Sequence, residues 1–213
     1  MLGITAAHLA AFAIVAIVVI VIPGPSVLFV VSRALANGRR VALLSVLGNT
    51  VGEYVQVAAV ACGLGALAEQ SVELFTIMKL AGGLYLVYLG IRTFRERGRT
   101  VAAITEEAQK PRRHPFVEGI VVGGTNPKTV VFLGAILPQF VTLAARHVAG
   151  QVLFLGFVFS AIALVSDSSW ALVAGVARHW FVRSPRRLAV VGGAGGIAIV
   201  AVGLGLLVSG RRT

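Results

Sequence analysis

The sequence predicts an all-α integral membrane protein with six transmembrane helices arranged as two inverted three-helix repeats. Three observations carry this prediction. The 213-residue chain is 57% hydrophobic and only 13% charged, with mean hydropathy +0.91, which leaves too little polar surface to cover a soluble globule. Its apolar residues fall into six runs, each near the roughly 20 residues a helix needs to cross about 30 Å of hydrocarbon. Two of those runs, the first in each half, are interrupted by proline where an unbroken helix would otherwise form.

In order, the runs cover residues 9–32, 41–67, 75–91, 116–143, 148–177 and 188–208. They occupy most of the chain, so residues 1–213 read as a single membrane domain. Residues 92–115 form the one long polar segment, rich in charge and bounded by Gly98, Pro111 and Pro115. This basic connection separates a first three-helix repeat, 1–91, from a second, 116–213. An odd number of spans per half makes the halves enter the membrane in opposite senses. The first run follows no basic region and continues past signal-peptide length, so it is expected to stay as a span. Cys62 stands alone, which rules out an intrachain disulfide and a cysteine metal cluster.

The formal charge of +11 would suit nucleic acid, but its distribution argues for membrane topology. Arg33, Arg39 and Arg40 follow the first span, seven basic residues from Arg92 to Arg113 follow the third, and Arg178, Arg183, Arg186 and Arg187 follow the fifth. The other side receives Lys79, Arg146, Arg211 and Arg212, with the acidic Glu69 and Glu73. Fourteen against four predicts cytoplasmic basic loops and both termini outside, in the inner (plasma) membrane. The same loops would meet anionic lipid headgroups as a secondary role. No nucleic-acid partner is expected.

Within the apolar runs, ionisable residues fall at similar depths. Glu53 lies 13 residues past Arg40, Lys128 10 past Glu118, Asp167 11 before Arg178 and Pro25 8 before Arg33. At about 1.5 Å per helical residue these depths are roughly 12 to 20 Å, so the four can share one layer. A charge there costs at least ~2.5–3.5 kcal/mol and calls for a partner. An internal ion pair of Lys128 with Glu53 or Asp167 would satisfy that need without any transport role. One lysine cannot neutralise two carboxylates, however, and the remaining negative charge invites a proton or a cationic group. The interruptions are Pro23-Gly24-Pro25 in the first span and Asn126-Pro127-Lys128 in the fourth. Each alone is as easily a packing kink; paired in corresponding positions, they point to a solute site.

The run from Pro23 to Arg33 (PGPSVLFVVSR) with Gly38-Arg39-Arg40, the stretch from Lys79 to Gly90 (KLAGGLYLVYLG), and Asn126-Pro127-Lys128 with Pro138-Gln139-Phe140 downstream resemble the signatures of the lysine exporter and homoserine/threonine resistance (LysE/RhtB) family of amino-acid exporters. Gly48 and Gly52 before Glu53, and Asp167 before Trp170, fit the same pattern. The likeness runs in order over nearly the whole chain. It implies a transporter rather than an enzyme, exporting amino acids or similar small metabolites from the cytoplasm, driven by the proton gradient and without a cofactor. Ser26 and Glu53 depart from residues frequent in the family, Asn or Asp and Asp respectively, which alters the reach of polar groups near the site.

The mechanism expected from these residues places the substrate carboxylate at Pro23, Gly24, Pro25, Ser26, Asn126, Pro127 and Lys128, through freed backbone donors and the lysine ammonium. Glu53 or Asp167 would hold the substrate ammonium or exchange it for a proton, as the two halves rock about this layer. His8, His114, His147 and His179 sit at span ends, which supports neither a metal relay nor a catalytic base. The glycine run from Gly192 to Gly196 lacks the strand and lysine of a phosphate loop and suits close helix packing, within the protomer or across a homodimer. Ser166, Ser168 and Ser169 flank Asp167 as hydroxyl ligands or as helix-to-helix contacts. The alternative function is an inorganic cation exporter using the buried carboxylates, against which the buried Lys128 argues. A membrane-embedded enzyme lacks a nucleophile with a base at depth.

Overall fold

The computed structural model describes residues 4–67, 72–98, 114–141, 147–177 and 184–208, and all regular structure among them is helical. Most of the basic connection, the segments holding Arg146, Arg178, Arg183, Glu69 and His179, and the final Arg211 and Arg212 lie outside the described residues. Among the described residues eight α-helices fall on the six apolar runs. They are α1 (Ala6–Val21), α2 (Pro25–Asn37), α3 (Arg39–Leu67), α4 (Val72–Arg95), α5 (Pro115–Gly124), α6 (Pro127–Val131), α7 (Val148–Val176) and α8 (Pro185–Val208). Four described helical stretches are long and apolar enough to cross a membrane, and the bent α1–α2 pair makes a fifth. Large apolar side chains such as Ile14, Val165, Val176 and Val190 face outward, as a hydrocarbon surround requires.

Both proline interruptions divide their spans as expected. Pro23 cannot donate a hydrogen bond and pushes the preceding Ile22 to φ −61°, ψ 119°, out of the helical region. Gly24 is extended, and Pro25 opens α2 at its first turn, where its missing N–H costs nothing. The two halves meet at 53°. In the fourth span α5 stops at Gly124, and Asn126 caps α6 by accepting from the Lys128 N–H at 3.1 Å. Beyond α6 the helix widens to a π-turn at Phe132–Ile136 and tightens to a 3₁₀ turn at Leu137–Phe140 around Pro138. That irregularity was not expected from the sequence, because the run stays apolar throughout.

Helix α3 packs backbone to backbone on α5. A Cβ at Gly48 or Gly52 would collide with main-chain atoms of Phe116, Ile120 or Gly124, and one at Gly119 or Gly123 with those of Ser45, Gly48 or Asn49. The two glycine pairs, each spaced by four, thus form one interlocked seam. Gly123→Val should cost ~1–3 kcal/mol by overpacking, read as a lowered thermal midpoint in detergent. Gly63→Ala, where nothing lies within 4 Å, should leave the midpoint unchanged. On α8, Gly196 packs on Gly90 of α4, and Gly195 seats against the Pro23 carbonyl at the first break. The glycine run therefore serves packing within the protomer.

Two apolar clusters divide the interior. One joins Phe12, Ala16 and Val19 of α1, Val57 of α3, Phe132 and Leu133 of the π-turn and Phe159 and Ala163 of α7; the Phe132 and Phe159 rings stack at 4.6 Å. The other joins Val27, Val30 and Val31 of α2, Ala42 and Val46 of α3 and Ala171 and Ala174 of α7. Along α3 and α7, the buried Asn49, Glu53 and Asp167 fall between them.

Candidate functional site

The first break exposes acceptors. In an unbroken helix the Val19 carbonyl would take the N–H of residue 23, and proline has none. The Lys128 ammonium supplies the missing donor: its Nζ lies 3.2 Å from Val19 O, 3.5 Å from Ile20 O and 3.0 Å from Ile22 O. All of these acceptors sit at the C-terminal end of α1, where the helix dipole favours a cation. The lysine chain reaches them across Gly24, where an added Cβ would lie 3.6 Å from its Cδ, Cε and Nζ. One broken span thereby pins the other.

The carboxylates meet at an amide. Asn49 Nδ2 donates to Glu53 Oε1 at 3.2 Å and to Asp167 Oδ2 at 3.1 Å, and its Oδ1 accepts from the Ser26 hydroxyl at 2.6 Å. Helices α2, α3 and α7 are joined through this single side chain, fully buried at 0% exposure. Both Nδ2 protons are committed to anions. Lys128 attracts both carboxylates coulombically, but among the described residues no direct ion pair joins it to either. The Thr129 hydroxyl lies within hydrogen-bonding reach of the Glu53 carboxylate, as its donor, and Gln56 Nε2 donates to Gly124 O at 2.8 Å across the second break.

The expected layer is therefore present, with one difference in its wiring. Ser26, Glu53 and Asp167 come together through Asn49, while Lys128 spends its protons on α1 rather than on a carboxylate. Pro23, Gly24 and Pro25 shape the break that Lys128 fills, and Asn126 and Pro127 orient the helix that carries it. Sequence reasoning missed Asn49, Gln56 and Thr129. A signal existed: Asn49, Glu53 and Gln56 are spaced by four and three, a polar stripe on one face of an otherwise apolar helix.

Other candidates lie elsewhere. Ser169 bonds its own helix at Val165 O, 2.8 Å, and with Ser166 lines an outward groove between α1 and α7, away from Asp167. Tyr85 and Tyr88 face outward, and His8, His114 and His147 are exposed. Arg33, read from sequence as a charge in the connection after the first span, is instead buried in α2, because that helix continues to Asn37. It pairs with Glu118 of α5 at 3.0 Å, tying the two broken spans together on their basic side.

Interrupted membrane helices that gather freed backbone groups and opposed charges in the interior are the architecture of a solute translocator. The chain belongs to the LysE type translocator family, which matches residues 17–210. It is 32% identical over 190 residues to a homoserine/homoserine lactone efflux protein of Salmonella typhimurium, covering 89% of this chain and 90% of that one. A protein of the same description from Salmonella typhi is 31% identical over 190 residues, with the same coverage. An uncharacterized membrane protein of Vibrio cholerae is 34% identical over 176 residues, covering 82% of this chain and 84% of that one. No solved structure matches the chain. The protein is a multi-pass membrane transporter and not an enzyme.

Proposed function

We propose that the protein is a secondary transporter that exports amino acids or closely related metabolites from the cytoplasm in exchange for protons. The observation that carries this reading is the network in which Asn49 holds Glu53 and Asp167 on one amide, between two apolar clusters that separate it from either membrane face. Two carboxylates in one dry layer suit alternate occupation by a proton and by a substrate ammonium. The six runs act as two inverted three-helix repeats, with the basic loops in the cytoplasm and both termini outside the inner membrane. Lys128 holds the first break in this conformation, and the acyl end of the substrate meets donors at the second.

Alternating access then needs two sets of contacts to exchange. The Arg33–Glu118 pair closes the basic side, and the Lys128 clamp on α1 closes the other. Rocking of the repeats opens one while the other holds. The named efflux relatives make homoserine a first substrate to try. Proteoliposomes loaded with radiolabelled homoserine and the common amino acids should release at least one of them faster than protein-free vesicles, and release divalent metal ions no faster. Release of metal with retention of every amino acid would establish the inorganic cation exporter instead.

A further inference from the structure

Beyond Lys128, on the side away from the Arg33–Glu118 pair, four phenylalanines close the interior. Phe132 opens the π-turn one turn past the lysine and stacks on Phe159 of α7, with ring centroids 4.6 Å apart and planes at 28°. It also meets Phe12 of α1 at 5.8 Å, and Phe12 meets Phe140 of the 3₁₀ turn edge-on at 5.4 Å. Phe12, Phe132 and Phe159 are 0%, 0% and 1% exposed, and Leu133, Val152 and Leu155 pack into the same cluster. Phe132 lies four residues past Lys128, Phe159 eight before Asp167 and Phe12 seven before Val19. At about 1.5 Å per helical residue the rings stand roughly 6 to 12 Å from the polar layer.

These contacts divide between the repeats. Phe132, Phe140 and Phe159 all belong to residues 116–213, whereas Phe12 belongs to residues 1–91, so rocking of the repeats strains the Phe12 contacts first. We propose that Phe12 against Phe132 and Phe140 is the outer gate, an inference that rests on the export reading above and specifies what must part for cargo to leave. A dry aromatic constriction bars water and ions by dewetting, which a carrier coupled to protons requires on the side from which they come. The π-turn lets Phe132 turn aside. Its Leu137 N–H donates to Phe132 O, five residues back, so it holds one residue more than an α-turn. Passing that excess along the span rotates Phe132 by about 100° about the helix axis with the backbone still bonded. Gly134 inside the turn meets nothing within 4 Å of an added Cβ, which leaves that face free to move. The two gates differ in kind: a buried ion pair on the basic side and an aromatic plug on the other.

The test reads access from outside. In a chain carrying Cys62→Ser and Ala163→Cys, the new thiol sits on α7 four residues before Asp167, at a position 2% exposed and inward of the rings. A charged, membrane-impermeant methanethiosulfonate added outside spheroplasts should modify it about tenfold faster once Phe12→Ala is added, because two aromatic contacts between the repeats are lost. Phe12→Leu, which keeps most of the volume, should raise the rate by a smaller factor. Leu86→Ala, which truncates a similarly buried side chain of the same cluster on α4, should leave it unchanged, and a cooperative melt in detergent shows each chain to be folded. No rise in either Phe12 variant, or an equal rise in Leu86→Ala, overturns the gate and leaves export standing. Export itself is read from the unaltered protein in proteoliposomes; if that protein releases no amino-acyl compound at all, the export reading falls and the gate with it.

Discussion

Asn49→Leu is expected to reduce export by on the order of 100-fold or more. The change removes the donor shared by Glu53 and Asp167 and the acceptor of Ser26 in one step. Each buried polar group left unpaired costs ~1–3 kcal/mol, more when it is charged, and a factor of ten in rate or affinity is only about 1.4 kcal/mol. Leucine keeps the branching of asparagine, and residue 49 meets Gly119 and Gly123 through its main chain, so the seam is retained and the loss reports the amide. Asn49→Asp should be as damaging for a different reason: it keeps the acceptor for Ser26 but faces two carboxylates with a third. Initial rates of efflux from proteoliposomes check both variants.

Lys128→Met should lower the folded yield and the thermal midpoint as well as export. Methionine matches the lysine stem but leaves the Val19, Ile20 and Ile22 carbonyls without the donor they share, and removes the cation that attracts Glu53 and Asp167. Taking one partner from a buried charge cluster costs ~3–5 kcal/mol, a fall in midpoint of roughly 10 °C for a chain of this size. Adding Glu53→Gln and Asp167→Asn to the same chain should recover part of that midpoint, because the three charges are coupled and their effects do not add. Export should stay lost. Thermal melting followed by tryptophan fluorescence in detergent separates the two outcomes.

Much of this architecture was legible in the sequence because lipid leaves the chain few choices. Apolar runs of spanning length, Pro23-Gly24-Pro25, and Asn126-Pro127 are local signals, and the helix boundaries at both breaks follow from what proline does to its own N–H and to the residue before it. The depth of Glu53, Lys128 and Asp167 could be counted along each helix. Which atom faces which could not, since that depends on how helices rotate about their axes. Opposite charges at equal depth suggested a direct ion pair; the structure gives Lys128 to the carbonyls that Pro23 frees. Asn49 escaped notice because a single amide in an apolar run looks like a tolerated polar residue until three helices are seen to converge on it. The π-turn after α6 left no signal in local composition; it lies where Val131 and Ala135 pack close against Gly82 of α4.

The most direct measurement is the response of export to an imposed pH gradient in proteoliposomes holding the unaltered protein, Glu53→Gln or Asp167→Asn. The unaltered protein should speed up when the gradient supplies protons from the outer face, and at least one of the two variants should lose that response while remaining folded. If both variants respond to the gradient as the unaltered protein does, the buried carboxylates take no part in coupling.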